Sequence, residues 1–136
     1  MSDIRADIGK LILRLTLGGL LLLHGIHKVL NGVDPIRDML TAYHLPDVLS
    51  YGVYLGEVVA PVLIILGIFT RIGALLVVVN MIVAIVLAGM PELFKVVPQT
   101  GSYALESEAF FLFCAVAIAL IGAGRFCLAD ASERWN

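Results

Sequence analysis

The chain has 136 residues, enough for one domain, of which 60% are hydrophobic and 15% charged, with a mean hydropathy of +1.00. A soluble domain of this size cannot cover so much apolar surface with so few charges, so the composition points to a polytopic membrane protein. The net charge of −2 lacks the basic excess that nucleic-acid binding calls for, and no nucleic-acid partner is expected.

Four apolar segments stand out, at about residues 8–29, 49–69, 72–90 and 106–123. Each is close to the roughly 20 residues that a bilayer core requires. Unpaired backbone is not tolerated in lipid, so each is expected to be helical. The expected fold is all-α: a single integral-membrane domain over residues 1–136, built as a four-helix bundle.

The first segment, Leu11 to Lys28, contains Arg14, His24, His27 and Lys28. A charge at the centre of a membrane helix costs about 2.5–3.5 kcal/mol on insertion scales, so later residues must come back to meet it. Arg5 and Lys10 before an apolar run resemble a signal peptide. Arg14 interrupts that run, and no small-residue cleavage site follows, so the segment reads as an uncleaved first transmembrane helix. In the following loop, Asp34-Pro35 looks like an N-cap with proline at the first helical position. Ile36, Met39, Leu40 and Tyr43 then fall at helical spacing before Pro46, which predicts a short amphipathic helix at the membrane surface.

Glu57 lies near the middle of the second segment, where Pro61 removes the hydrogen bond to its carbonyl and predicts a kink with a free acceptor beside the acid. Thr70 and Arg71 alone are expected to join the second and third helices as antiparallel neighbours. Asn80 sits close to the middle of the third. The loop after it holds Pro91, Pro98 and Gly101 and is expected to be irregular, and Glu106 and Glu108 then enter the fourth helix in its first turn. Arg5, Lys10, Arg71, Arg125 and Arg134 fall on one side of this arrangement, and only Lys28, Arg37 and Lys95 on the other. The positive-inside rule then places both termini in the cytoplasm and both long loops outside.

Most of the polar groups crowd the outer half. Along helix one, Arg14, Gly18, Leu21, Gly25 and Lys28 share a face whose glycines allow close approach, and helix two answers with Tyr54, Glu57, Pro61 and Ile64. A carboxylate in hydrocarbon neutralises unless a cation or strong donors hold it charged. Arg14, His24 and Lys28 are the cations available to Glu57 and Glu108, and a long arginine reaching Glu57 is the expected pair. Glu57 and His24 are therefore the candidate catalytic residues. Arg14, Lys28, Asn80 and Glu108 are the candidate binding or ion-pairing ones. His24 and His27, one helical turn apart near two carboxylates, would suit zinc or iron, but the second ExxH element of a di-metal bundle is lacking and no metal is expected. Cys114 and Cys127 do not form a CxxC pair.

Together these residues resemble the DoxX-like family of small four-helix membrane proteins. The resemblance is carried by Arg14 and Gly18, by His24-Gly25 and Lys28 ending the first helix, and by Glu57. It continues in Leu66-Gly67-Ile68-Phe69-Thr70-Arg71, in Met81 and Ala84, and in the Gly122-Ala123-Gly124-Arg125-Phe126 turn. After that turn the family usually has Ser-Leu-Asp; here Cys127-Leu128-Ala129-Asp130 replaces the serine by cysteine and displaces the aspartate by one position. The resemblance implies a link to membrane redox systems, such as a thiosulfate:quinone oxidoreductase subunit, oxidative-stress complexes or quinone-resistance operons. The expectation is a multi-pass protein of the bacterial inner membrane, a subunit or accessory of a quinone-linked system. Its outer-half cavity, between His24, Glu57 and Glu108, would take a quinone, and its partners would be the lipid bilayer, a redox subunit or a second copy. Small-solute binding or transport, and a purely structural membrane role, remain open beside it.

Overall fold

The computed structural model describes residues 3–130 and 134–136, so the ends of the domain expected over residues 1–136 fall partly outside it. Among the described residues five helices follow one another: α1 (Ile4–Asn31), α2 (Asp34–Ala42), α3 (Asp47–Leu66), α4 (Thr70–Glu92) and α5 (Glu106–Ile121). No strand occurs among the described residues.

The first helix starts four residues earlier than the hydropathy suggested, because the Asp3 side chain caps it by accepting from the Arg5 N–H at 3.0 Å. α2 falls where the Asp34-Pro35 signal put it, although Val33 occupies the cap position and Asp34 is already helical. The helix stops at Tyr43, and His44 turns the chain with a positive φ of 56°.

α3 changes its winding along its length. It opens in a 3₁₀ turn over Asp47–Tyr51, widens over Leu55–Val59, and closes as regular helix over Ala60–Leu66. In the widened turn the Ala60 N–H reaches back five residues to the Leu55 carbonyl. Such π-turns mark places where the α-ladder is interrupted, and here the interruption sits just before Pro61, which has no N–H to give. α4 widens similarly over Ile85–Gly89 before a last tight turn, Met90–Glu92.

The connection between α3 and α4 is the turn Gly67-Ile68-Phe69, three residues earlier than expected; Thr70 and Arg71 already belong to α4. Gly67 is left-handed at φ 72°, and both its N–H and that of Ile68 return to the Leu63 carbonyl, a closing pattern that glycine favours. The loop before α5 is also more ordered than its prolines suggested. Val96 and Tyr103 form an antiparallel bridge, with Val97 N–H donating to Ser102 O and Ala104 N–H to Lys95 O.

α1 packs on α3, α3 on α4, α4 on α5, and α5 returns to α1. Leu17, Leu21, Ile64, Val77, Met81 and Ile118 form the shared core, with Ala60, Ala74 and Ala115 in the tightest places. Small residues set the spacing. A Cβ on Gly18 would come within 2.6 Å of Ile65 Cγ1, and one on Gly73 within 3.1 Å of the Ala60 carbonyl. The outward faces remain apolar: Leu23, Val79, Phe113 and Leu120 are all largely exposed. That is the surface expected of helices solvated by lipid.

Candidate functional site

Glu57 sits in the widened turn of α3 and is 4% exposed. Lys28, in the last turn of α1, places its Nζ 2.6 Å from both carboxylate oxygens. Asn80 of α4 donates from Nδ2 to Oε1 at 3.1 Å. Three helices thus converge on one carboxylate. The Tyr54 hydroxyl, one turn earlier on α3, donates to the Lys28 carbonyl at 3.2 Å and fixes the end of α1 against α3.

Two glycines make this convergence sterically possible. A Cβ on Gly25 would collide with the Glu57 carbonyl, and one on Gly56 would lie 2.5 Å from Asn80 Cβ. The carbonyl that Pro61 leaves without a helical donor is therefore the surface on which α1 rests. The Lys28 side chain is 28% exposed against 5% for Glu57, so the ammonium bridges the buried acid to the outside.

Arg14 is the main correction to the sequence reading: it does not pair with Glu57. It is 1% exposed and donates only to carbonyls: Nε to Ile64 at 2.8 Å, Nη2 to Ile65 at 2.9 Å, and Nη1 to Ala123 at 2.9 Å and Phe126 at 2.6 Å. The physical reason is register. Gly25 lies at the level of Glu57, and Arg14 is eleven residues away on the same helix, about 16 Å along the axis. What it meets at its own level are the last carbonyls of α3 and those of the turn after α5, which have no helical partners. Leu66 and Gly67 carbonyls at the same end accept from Leu128 and Ala129 N–H at 3.0 and 3.4 Å. A cation at helix C-termini also complements their partial negative charge.

The other candidates lie apart from the carboxylate. His24 is exposed; its Nδ1 is 3.0 Å from the Leu20 carbonyl of its own helix, and its ring stands edge-on to Phe111 with centroids 5.6 Å apart. His27 interacts with Asn31 through its Nδ1 and carbonyl. Glu108 accepts from Ser107 Oγ at 2.9 Å and has no other side-chain partner among the described residues. Neither His24 nor Glu108 hydrogen-bonds to Glu57 among the described residues. An apolar cleft of about 440 Å³ along α5 is lined by none of these three residues.

The match to known families now bears on these positions. The DoxX family model covers residues 9–90, which hold Arg14, Lys28, Glu57 and Asn80. The chain belongs to the DoxX family. This DoxX chain is accordingly a membrane protein, and its α3 and α4 are long and apolar enough to cross a bilayer. No curated protein and no solved structure matches the chain.

Three parts of this DoxX structure escaped the sequence reading. Asp7 is buried at the start of α1 beneath Gly124, with Lys10 Nζ 3.8 Å from Oδ1 and no hydrogen-bond partner for Oδ2. Asn136 is buried against α4: its Oδ1 accepts from Thr70 Oγ1 at 2.9 Å and its main-chain oxygen from Arg71 Nε at 3.2 Å. The Cys127 thiol lies 3.2 Å from the Gly124 carbonyl and 3.1 Å from that of Ala129, inside this knot of turns. Only Cys127 carried a signal, as a departure from the family pattern.

Proposed function

We propose that this DoxX protein is a multi-pass component of the bacterial inner membrane and a subunit or accessory of a quinone-linked redox system. In this reading α1, α3, α4 and α5 cross the bilayer as a four-helix bundle, α2 lies along the outer surface, and both termini are cytoplasmic. Lys10 against Gly124 and Arg71 beside Gly122 support the orientation, because they gather cationic residues at the end that holds the α3–α4 turn.

The observation that carries the reading is the buried Glu57 carboxylate held by a partly open lysine. An ionisable group inside a membrane segment is functional by default, and a lysine–carboxylate pair at one rim is suited to passing protons. Lys28 carries the traffic between the outer aqueous side and Glu57, Asn80 holds Oε1, and His24, whose Nδ1 faces the Leu20 carbonyl, stands at the outer surface with Nε2 as the acceptor toward an arriving ligand. The quinone and its redox subunit would bring the electron chemistry. Glu57→Gln should abolish quinone-dependent oxidation in native membranes; unchanged activity removes the mechanism.

A second reading is favoured by one detail: both oxygens of Glu57 are occupied by Lys28 and Asn80. In that reading the cluster is a structural pin that fixes the register of three helices. Glu57→Gln then lowers the melting temperature in detergent, and its loss of function follows the loss of folded protein. Solute flux into liposomes containing only this protein would assign it instead to transport.

A further inference from the structure

The apolar cleft between α1 and α5 has a length, a shape and a charge at its mouth that together specify an occupant. Glu106, Phe110, Phe113 and Ala117 recur along one side of α5 at four-, three- and four-residue intervals. From Glu106 to Ala117 the helix rises about 16 Å, close to the roughly 15 Å depth of one leaflet's hydrocarbon. Ala109 and Ala117 give the lining short side chains, Phe110 and Phe113 give it bulky ones, and Leu13 is the residue that α1 adds. At the mouth, the Tyr103 hydroxyl is committed to the Leu93 carbonyl at 2.7 Å, so that ring is a fixed wall.

The one charged group on the cleft is Glu106. Its carboxylate is exposed and has no side-chain partner among the described residues, and the nearby Lys95 is engaged by Glu92 at 2.8 Å. An unpaired anion at the headgroup end of a one-leaflet apolar channel calls for a headgroup that presents an ammonium above an acyl chain. We propose that this cleft seats one phospholipid of the phosphatidylethanolamine type, with a chain along Ala109 to Ala117 and its ammonium against Glu106.

The test uses the full chain in mild detergent, incubated with equal amounts of phosphatidylethanolamine and phosphatidylglycerol bearing identical acyl chains, and read by native mass spectrometry. One bound lipid per chain is expected, with a roughly two- to five-fold preference for phosphatidylethanolamine, the range of a single exposed ion pair. Glu106→Gln, a surface change that leaves the fold intact, should erase that preference while keeping the lipid. Ala117→Trp should fill the cleft and release it. Equal retention of the two lipids by the unaltered protein, or a preference that survives Glu106→Gln, would overturn the assignment. So would a dimer of this chain that Ala117→Trp dissociates, because a second copy would then be the occupant.

Discussion

Arg14 and Lys28 share a helix and a sign of charge yet do different work. Arg14 uses the planar fork of its guanidinium to reach two helix ends at once, which a single ammonium cannot do. Arg14→Lys should therefore lower stability in detergent by about 2 kcal/mol or more, at roughly 1–3 kcal/mol for each buried carbonyl left unpaired. Thermal unfolding measures this, and an unchanged midpoint would show that the fork is dispensable. The Lys28–Glu57 pair lies three to four turns away and should persist in that variant. The sequence made the polar residues of α1 conspicuous, and Glu57, Lys28 and Asn80 were among the candidates it raised, though not as one cluster. It misassigned the partner because charge sign was easier to read than register. Helix ends bearing orphan carbonyls leave no sign in composition, so Arg14 looked as though it needed an acid.

At the scale of elements, the turn between α3 and α4 shows how backbone conformation and packing combine. Gly67 holds φ at 72°, and a Cβ there would collide with Arg14 Nη2 and Cys127 Cβ. Gly101 has nearly the same φ, 71°, but open space around it. Alanine at Gly101 should cost only the left-handed strain, about 1–2 kcal/mol. Gly67→Ala should cost clearly more, because the Arg14 contacts must shift as well. Comparing the melting temperatures of the two variants separates strain from collision, and equal losses would rule out the packing contribution. The all-helical character, the two long apolar helices α3 and α4, and α2 were legible because periodicity, length and the Asp34-Pro35 signal all agree. The widened turn of α3 was half legible. Pro61 announced a free Glu57 carbonyl, but the turn's shape depends on α1 resting there through Gly25.

The whole molecule is closed by its last described residues. Ala123 and Phe126 supply carbonyls to Arg14, Leu128 and Ala129 donate to the end of α3, and Asn136 is buried against Thr70. A chain ended after Ile121 should therefore keep its helices but lose protection around Leu66–Phe69. Hydrogen exchange at that turn reads this out; unaltered protection would mean that the tail only decorates the fold. The same closure constrains the order of assembly. Two of the four acceptors for Arg14 lie 109 and 112 residues further along the chain than the arginine itself. α1 is thus synthesised with a charge half of whose partners do not yet exist. Water or neighbouring carbonyls must hold the guanidinium until the turn after α5 arrives, so an early helix is completed by a late loop.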